Sequence, residues 1–411
     1  MSDKTVSSSL IPVEQALTRL LDQVVQSRET TPVALKSSLG RVLGEPLRST
    51  VSVPPADNSA MDGYAINTAD LKTAQGRLPV SQRVTAGITP QPLQPGTAAR
   101  IFTGAEIPLG ADAVVMQEQC LAIEDVHVQL PKVIKQGQNI RCAGQDIEAG
   151  ATILPAGTRI QPQHMGLIAS VGIAQVPVYK SLRVAVLSTG DELLEPGSPV
   201  EPGKIYNSNR YMLTGLIDAL GMECIDCGVV QDTREATESA LREAAASADC
   251  IITSGGVSVG DEDHIKPAVE KLGQLDMWRV AIKPGKPLAF GEVLGTPIIG
   301  LPGNPVAVFV TFSLFVRPYL LKSQGAVDFM PREMRVIADF NLARSSNRKQ
   351  YLRAQLARGD NGVLQASIFS NQSSGVLSSA CWADGFVVVP PEQTVCSGDS
   401  LQFLHYAELL S

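Results

Sequence analysis

The residues best suited to chemistry follow a short apolar run. Cys250 to Ile252 lead into Thr253, Ser254, Gly255 and Gly256, then Ser258 and Gly260, and the carboxylates Asp261 and Asp263 open a helix-like segment. A strand ending in small residues lets backbone N–H groups approach an anion without side-chain obstruction. The acids beyond would repel a phosphate unless a cation lies between, so the pattern suggests an anion-plus-metal site; a tight turn is the plainer alternative. Two further loops carry related chemistry. Lys283-Pro-Gly-Lys-Pro287 holds two ammonium groups, Lys283 and Lys286, on a proline-braced segment with Pro284 and Gly285 between them. The prolines lower the entropy cost of keeping both cations near one anion. Leu301-Pro-Gly-Asn-Pro305, with Pro302, Gly303 and Asn304, delivers a helix N-terminus just past a strand. That is a favourable place for an oxyanion, or simply a proline-started helix.

Acids occur in three other places. Asp57-Asn-Ser-Ala-Met-Asp62-Gly-Tyr-Ala65 is a polar knot in apolar surroundings, readable as a site or as a self-capped turn. Asp191 and Glu192 follow Thr189-Gly190 at a strand end, where they are candidate Mg²⁺ ligands or exposed loop acids. Asp232-Thr-Arg-Glu235 reads as a capping box, which would explain Asp232 without chemistry. Cys224-Ile-Asp-Cys227 has redox or zinc spacing but lies in an apparent strand, where residues three apart face opposite ways. The four histidines form no ligand-like spacing, so a structural zinc site is not expected.

These residues need elements to position them. A helical stripe runs over residues 12–27. From 31 to 180 short apolar runs punctuated by Gly and Pro predict small β structures, with strands at 83–86, 99–102, 113–116 and 127–130. From 181 strands and helices alternate: a strand at 183–188, a helix at 209–220, a strand at 222–230, a helix at 232–246 and the strand at 250–252. That alternation predicts an α/β domain with a mostly parallel sheet, whose ligands bind beyond the carboxyl ends of the strands. A strand around 297–301 and a helix from Val306 close it. After Gly325 short β patterns return and predict a small C-terminal β domain.

Composition bounds the partners. The 411 residues, 44% apolar and 18% charged, describe a chain of several ordinary globular domains. A net charge of −7 and 5% aromatics argue against nucleic acid and anionic membranes, so an anionic ligand must be met by a local cluster. No apolar run approaches the length expected of a membrane span; the nearest, 307–321, is interrupted by Arg317 and Pro318. Seven scattered cysteines and an N-terminus without a signal-like core suggest a cytoplasmic location.

In order, Asp57-Asn-Ser-Ala-Met-Asp-Gly-Tyr-Ala, Phe102-Thr-Gly-Ala, Val114-Val-Met-Gln-Glu118, Gly144-Gln-Asp-Ile, Ser188-Thr-Gly-Asp-Glu-Leu, Ser254-Gly-Gly-Val-Ser-Val-Gly-Asp, Lys283-Pro-Gly-Lys-Pro and Leu301-Pro-Gly-Asn-Pro span nearly the whole chain. Together they resemble the MoeA-type molybdopterin molybdenumtransferases, whose animal counterpart is the gephyrin E domain. The resemblance implies four domains: an extended domain I (1–46 and 145–180), an inserted β domain II (47–144), an α/β domain III (181–325) and a β-barrel-like domain IV (326–411). It also implies a homodimer whose active sites join domain III of one subunit to domains I and II of the other. The implied reaction joins molybdate to adenylylated molybdopterin with loss of AMP, using Mg²⁺. Contacts with the molybdopterin adenylyltransferase and with molybdoenzyme chaperones are also implied.

On the same grounds the catalytic acids are Asp62, Asp146, Glu192, Asp232 and Asp263, with Glu192, Asp232 and Asp263 as metal ligands. Lys283 heads the molybdate loop. Thr103, Thr189, Ser254, Gly255, Gly256, Ser258, Pro284, Gly285, Lys286, Pro302, Gly303 and Asn304 contact substrate, with Arg353 and Ser374 an accessory pair. The chain departs from the family in Ala307, where a serine is frequent, in Arg279, where lysine is common, and in the order Gln372-Ser-Ser-Gly375. An ATP-dependent molybdopterin adenylyltransferase is the alternative, but it would show Gly-Gly-Thr-Gly where this chain has Gly255-Gly-Val-Ser258. A gephyrin-like scaffold is a second.

Overall fold

A six-stranded sheet organises the middle of the chain in the computed structural model, which describes residues 10–26, 29–72, 74–123, 126–256, 264–359 and 362–410. Across the sheet the strands run Glu223–Val230, Arg183–Thr189, Cys250–Ser254, Thr296–Leu301, Pro287–Val293 and Gly273–Arg279. The first four run parallel, and Pro287–Val293 runs against them, pairing antiparallel with Thr296–Leu301 on one side and Gly273–Arg279 on the other. The parallel part is mostly parallel for a sequence reason. Val184 to Ser188 and Cys250 to Ser254 are buried without a break, as strands covered on both faces must be. One face packs Val184, Val186, Ile252 and Ile299, and the other Ala185, Leu187, Ile251 and Ile298. Cys224 lies against the first core and Cys227 against the second, and burial raises both thiol pKa values. Neither residue is poised for metal or disulfide chemistry.

The helix expected from Val306 runs over Pro305–Ser323 and continues through Arg317 and Pro318. Pro318 has no N–H to donate, and the wide turn Phe312–Val316 just before it absorbs the mismatch as a π segment. By length and composition this helix is apolar enough to cross a membrane, but 94% of its apolar stretch is buried inside the molecule. It is the core helix between the sheet and the C-terminal domain: Tyr319 meets Phe290 at 5.8 Å, and Phe309 meets Phe386 at 5.7 Å. Within 31–180, expected to be all β, residues Pro162–Ser170 form a helix. Its weak apolar stripe and internal Gly166 hide it, while Gln161 and His164 close a capping box and Pro162 starts the first turn.

Residues 30–34 pair antiparallel with 175–179, and 47–48 with 152–154, so the chain leaves and returns along one extended arm. Between these passes lies a second six-stranded sheet, ordered Ala113–Met116, Gly63–Ile66, Ala98–Ile101, Arg77–Val84, His127–Gln129 and Leu121–Ile123. At the C-terminus Lys349–Arg358, Leu364–Ile368, Met334–Ala338, Ser400–His405 and Gly385–Val389 pair in turn. Lys349–Arg358 also pairs with Gly385–Val389, which closes a small barrel. Ile282–Lys283 adds to this barrel parallel to Lys349–Gln350. The lysine loop therefore hangs between the central sheet and the barrel.

Candidate active site

Three parallel strands end together: Ser188 is level with Ser254, and Ser254 with Leu301. Beyond that edge opens a cleft of about 630 Å³. Gly255 and Gly256 form one wall, Lys283 to Pro287 another, and Pro302, Gly303, Asn304 and Ala307 the start of the long helix. Gln372, Ser373, Ser374 and Arg348 reach in from the barrel. Gly256 has φ +68, and a Cβ there would collide with Ile265 and come within 3.3 Å of Thr189 Oγ1. Gly285 has φ +103, and a Cβ there would stand 2.7 Å from Thr311 Cγ2. Both glycines are required by conformation and by space. The loops are tied to their neighbours: the Gly255 N–H donates to the Leu301 carbonyl, Asn209 Nδ2 to the Gly303 carbonyl and the Val306 N–H to the Ser374 carbonyl. With Lys283, Lys286 and Arg348 beside a helix N-terminus, the cleft is built for an oxyanion.

A second polar cluster sits in the inserted sheet. Asp62 Oδ1 accepts from the Thr103 N–H and the Thr103 hydroxyl, both at 2.8 Å. These two bonds, with a smaller contribution from the Arg100 charge, hold the Asp62 carboxyl below the usual carboxylate range. Neighbouring Asp57 is spent on structure, accepting the Ala143 N–H at 2.8 Å. Asp146 is exposed, its own N–H donating to the Val53 carbonyl. Among the described residues none of 47–180 lines the cleft, so one chain does not bring Asp62, Thr103 or Asp146 to its wall.

Profiles of known families match three consecutive stretches: the MoeA N-terminal region (domain I and II) over 11–172, a probable molybdopterin binding domain over 185–322, and the MoeA C-terminal region (domain IV) over 335–406. A molybdopterin molybdenumtransferase of Haemophilus influenzae is 38% identical, with 98% of this chain and 100% of the relative covered. The chain belongs to the molybdopterin molybdenumtransferase family. A relative from Nostoc is 37% identical over 92% of this chain and 89% of its own length. The solved structure of the molybdopterin biosynthesis MoeA protein of Pyrococcus horikoshii OT3 superposes with a TM-score of 0.83. It is 30% identical and covers 97% of this chain and all of the other. The chain is thus a transferase of molybdenum cofactor biosynthesis that handles molybdopterin.

Within this family member the remaining expected residues are placed as follows. Thr189 and Ser254 end their strands beside the glycines. Glu192 is exposed, with its carboxylate folded against Gly190. Asp232 does not cap its helix. Thr233 does, its hydroxyl accepting the Ala236 N–H, because the helix starts at Arg234 and leaves Asp232 one residue outside. Arg353 is 1% exposed and lies under the cleft rather than in its wall. Its guanidinium donates to Ser379 Oγ at 3.0 Å and to the Ser373 carbonyl at 3.1 Å, fixing the loop that presents Ser374. The barrel cation that faces the cleft is Arg348, which residue reading missed. The signal was its place just before the Lys349–Arg358 strand, which pairs with the lysine loop. Asp263 and Ser258 lie outside the described residues.

Proposed function

We propose that the cleft binds molybdate and the phosphate end of adenylylated molybdopterin, and that the reaction inserts molybdenum with release of AMP. The observation that carries this reading is the meeting of Lys283, Lys286 and Arg348 with the Gly255–Gly256 turn and a helix N-terminus around one cleft. Molybdate is a tetrahedral dianion, and ammonium, guanidinium and backbone N–H donors match its oxygens. The glycines let the backbone close on a phosphate. Pro284, Gly285, Pro302, Gly303 and Asn304 shape the wall, and Ser374 offers a hydroxyl at its rim.

Mg²⁺ is part of this reading. Among the described residues no group of three His, Cys, Asp or Glu side chains is gathered as a preformed cage. Mg²⁺ needs none, since it is commonly held by one or two carboxylates, substrate phosphates and water. Asp232, released from capping, and Glu192 would hold it together with Asp263. Bound there, the ion neutralises charge on the phosphoanhydride. Asp62 and Thr103, with Asp146, would complete the site from a partner subunit of a homodimer. Four domains divided as 1–46 with 145–180, 47–144, 181–325 and 326–411, and a cytoplasmic location, belong to the same proposal.

The test supplies purified protein with adenylylated molybdopterin, molybdate and Mg²⁺. AMP should appear in proportion to molybdate; AMP release indifferent to molybdate would overturn the reading, and ATP-dependent adenylylation of molybdopterin would establish the alternative. A finer prediction concerns Ala307, whose side chain faces the cleft where relatives of this type frequently carry a serine. Ala307→Ser should lower the molybdate KM about fivefold, the worth of one added hydrogen bond of about 1 kcal/mol. The molybdate dependence of AMP release checks it.

A further inference from the structure

We infer that Arg100 is a positioning residue that locks Asp62 and Thr103 into one geometry from behind. The inference rests on the reading of Asp62 as a substrate-facing carboxylate. Arg100 lies on the Ala98–Ile101 strand, two residues before Phe102 and three before Thr103. Its Nη1 donates to the carbonyl of Gly63, the residue after Asp62, at 3.1 Å. Its Nη2 donates to Gln117 Oε1. The Gln117 N–H in turn donates to the Asp62 carbonyl at 3.0 Å. The guanidinium also lies 4.8 Å from the Phe102 ring centroid and 5.1 Å from that of Tyr64.

One planar cation therefore touches the residue on the far side of Asp62, the residue on the near side of Thr103, and the side chain whose backbone holds the Asp62 carbonyl. The loop closes through the two Thr103 bonds to Asp62 Oδ1. Among the described residues no bond is drawn to Oδ2, which leaves that oxygen to face substrate. Gly63 makes the arrangement tight: a side chain there would run into the Val115 carbonyl, so the strand sits flush on its neighbour. A lysine supplies charge but neither the fork nor the flat face that meets Phe102 and Tyr64. Arg83, 4.9 Å from the Phe102 centroid, braces the same ring without reaching Asp62.

The test compares Arg100→Met, Thr103→Val, the double variant and Asp62→Asn in molybdate-dependent AMP release. Arg100→Met should lower kcat about 10- to 100-fold, the cost of a misplaced reacting group, with the molybdate KM changed less than about twofold. In the Thr103→Val background the same change should cost less than about threefold, because the shared orientation is already lost. The acid limb of the pH–kcat/KM profile should move to higher pH in Arg100→Met, as Asp62 loses donors and charge that keep it ionised. A merely structural role would multiply fully with Thr103→Val and leave the acid limb in place; either result overturns the inference. If Arg100→Met does not fold, Gln117→Met, at an exposed side chain, carries the same comparison with a smaller loss in the same direction. An inactive Asp62→Asn beside a normal Arg100→Met overturns the inference alone. A fully active Asp62→Asn overturns the reading of Asp62 and the inference with it.

Discussion

Replacing Lys283 and Lys286 together by methionine should raise the molybdate KM roughly 100- to 1,000-fold, since each charge-assisted hydrogen bond contributes about 1.5–3 kcal/mol and paired losses are not additive. Methionine keeps the apolar stem of lysine, so the change removes charge with little change in volume. Lys283 is exposed and Lys286 half-buried, and no described ion pair uses either, so the thermal unfolding midpoint should stay within a few degrees. Arg348 remains as one cation in the cleft, which is why binding should weaken rather than vanish. AMP affinity, measured without molybdate, should change far less than the molybdate KM. An unchanged molybdate KM would move the oxyanion out of this cleft.

The lysine loop was legible because its chemistry is local: two lysines, two prolines and a glycine within five residues. The carboxyl edge was legible for a related reason, since buried apolar strands ending in Ser254-Gly-Gly and Leu301-Pro-Gly announce both a parallel sheet and its open end. What joins them was not legible. Ile282–Lys283 pairs with Lys349–Gln350 across more than sixty residues, and that pairing brings Arg348 to the lysines. No local pattern encodes such a register. The direction of Arg353 was not legible either, because residue type does not report it; its side chain turns inward to carbonyls of the 371–373 loop and to Ser379. Asp232 misled for a subtler reason. Asp232-Thr-Arg-Glu and Thr233-Arg-Glu-Ala offer two adjacent cap residues, and a shift of one residue, which sequence reading resolves poorly, decides which carboxylate or hydroxyl is consumed. The helix through Pro318 shows tertiary packing overriding a local breaker, with the π segment as the accommodation.

Asp62→Asn should nearly abolish AMP release and Lys283→Met should cut it about tenfold or more at molybdate near the wild-type KM, yet a randomly paired mixture of the two should recover about a quarter of the wild-type rate, and the isolated mixed dimer about half, given two-fold symmetry. Half the dimers would then be mixed. In each mixed dimer one site would combine an intact cleft with an intact Asp62, and the other would carry both defects. The expectation follows from placement. Asp62 and Thr103 form an ordered pair on the inserted sheet, while the described residues that line the cleft all lie between 255 and 374. An oriented carboxylate that does not line the anion-binding walls of its own chain is either unrelated to them or completes a neighbour's site. Co-expression with two affinity tags isolates the mixed dimer and separates these cases. A mixed dimer as inactive as its parents would mean that each site is built within a single chain, whereas recovery requires that Asp62 act across the two-fold axis. The same preparation tests the Arg100 clamp: adding Arg100→Met to the Lys283→Met subunit, which supplies the working Asp62, should remove the recovered activity. Adding it to the Asp62→Asn subunit should leave that activity unchanged.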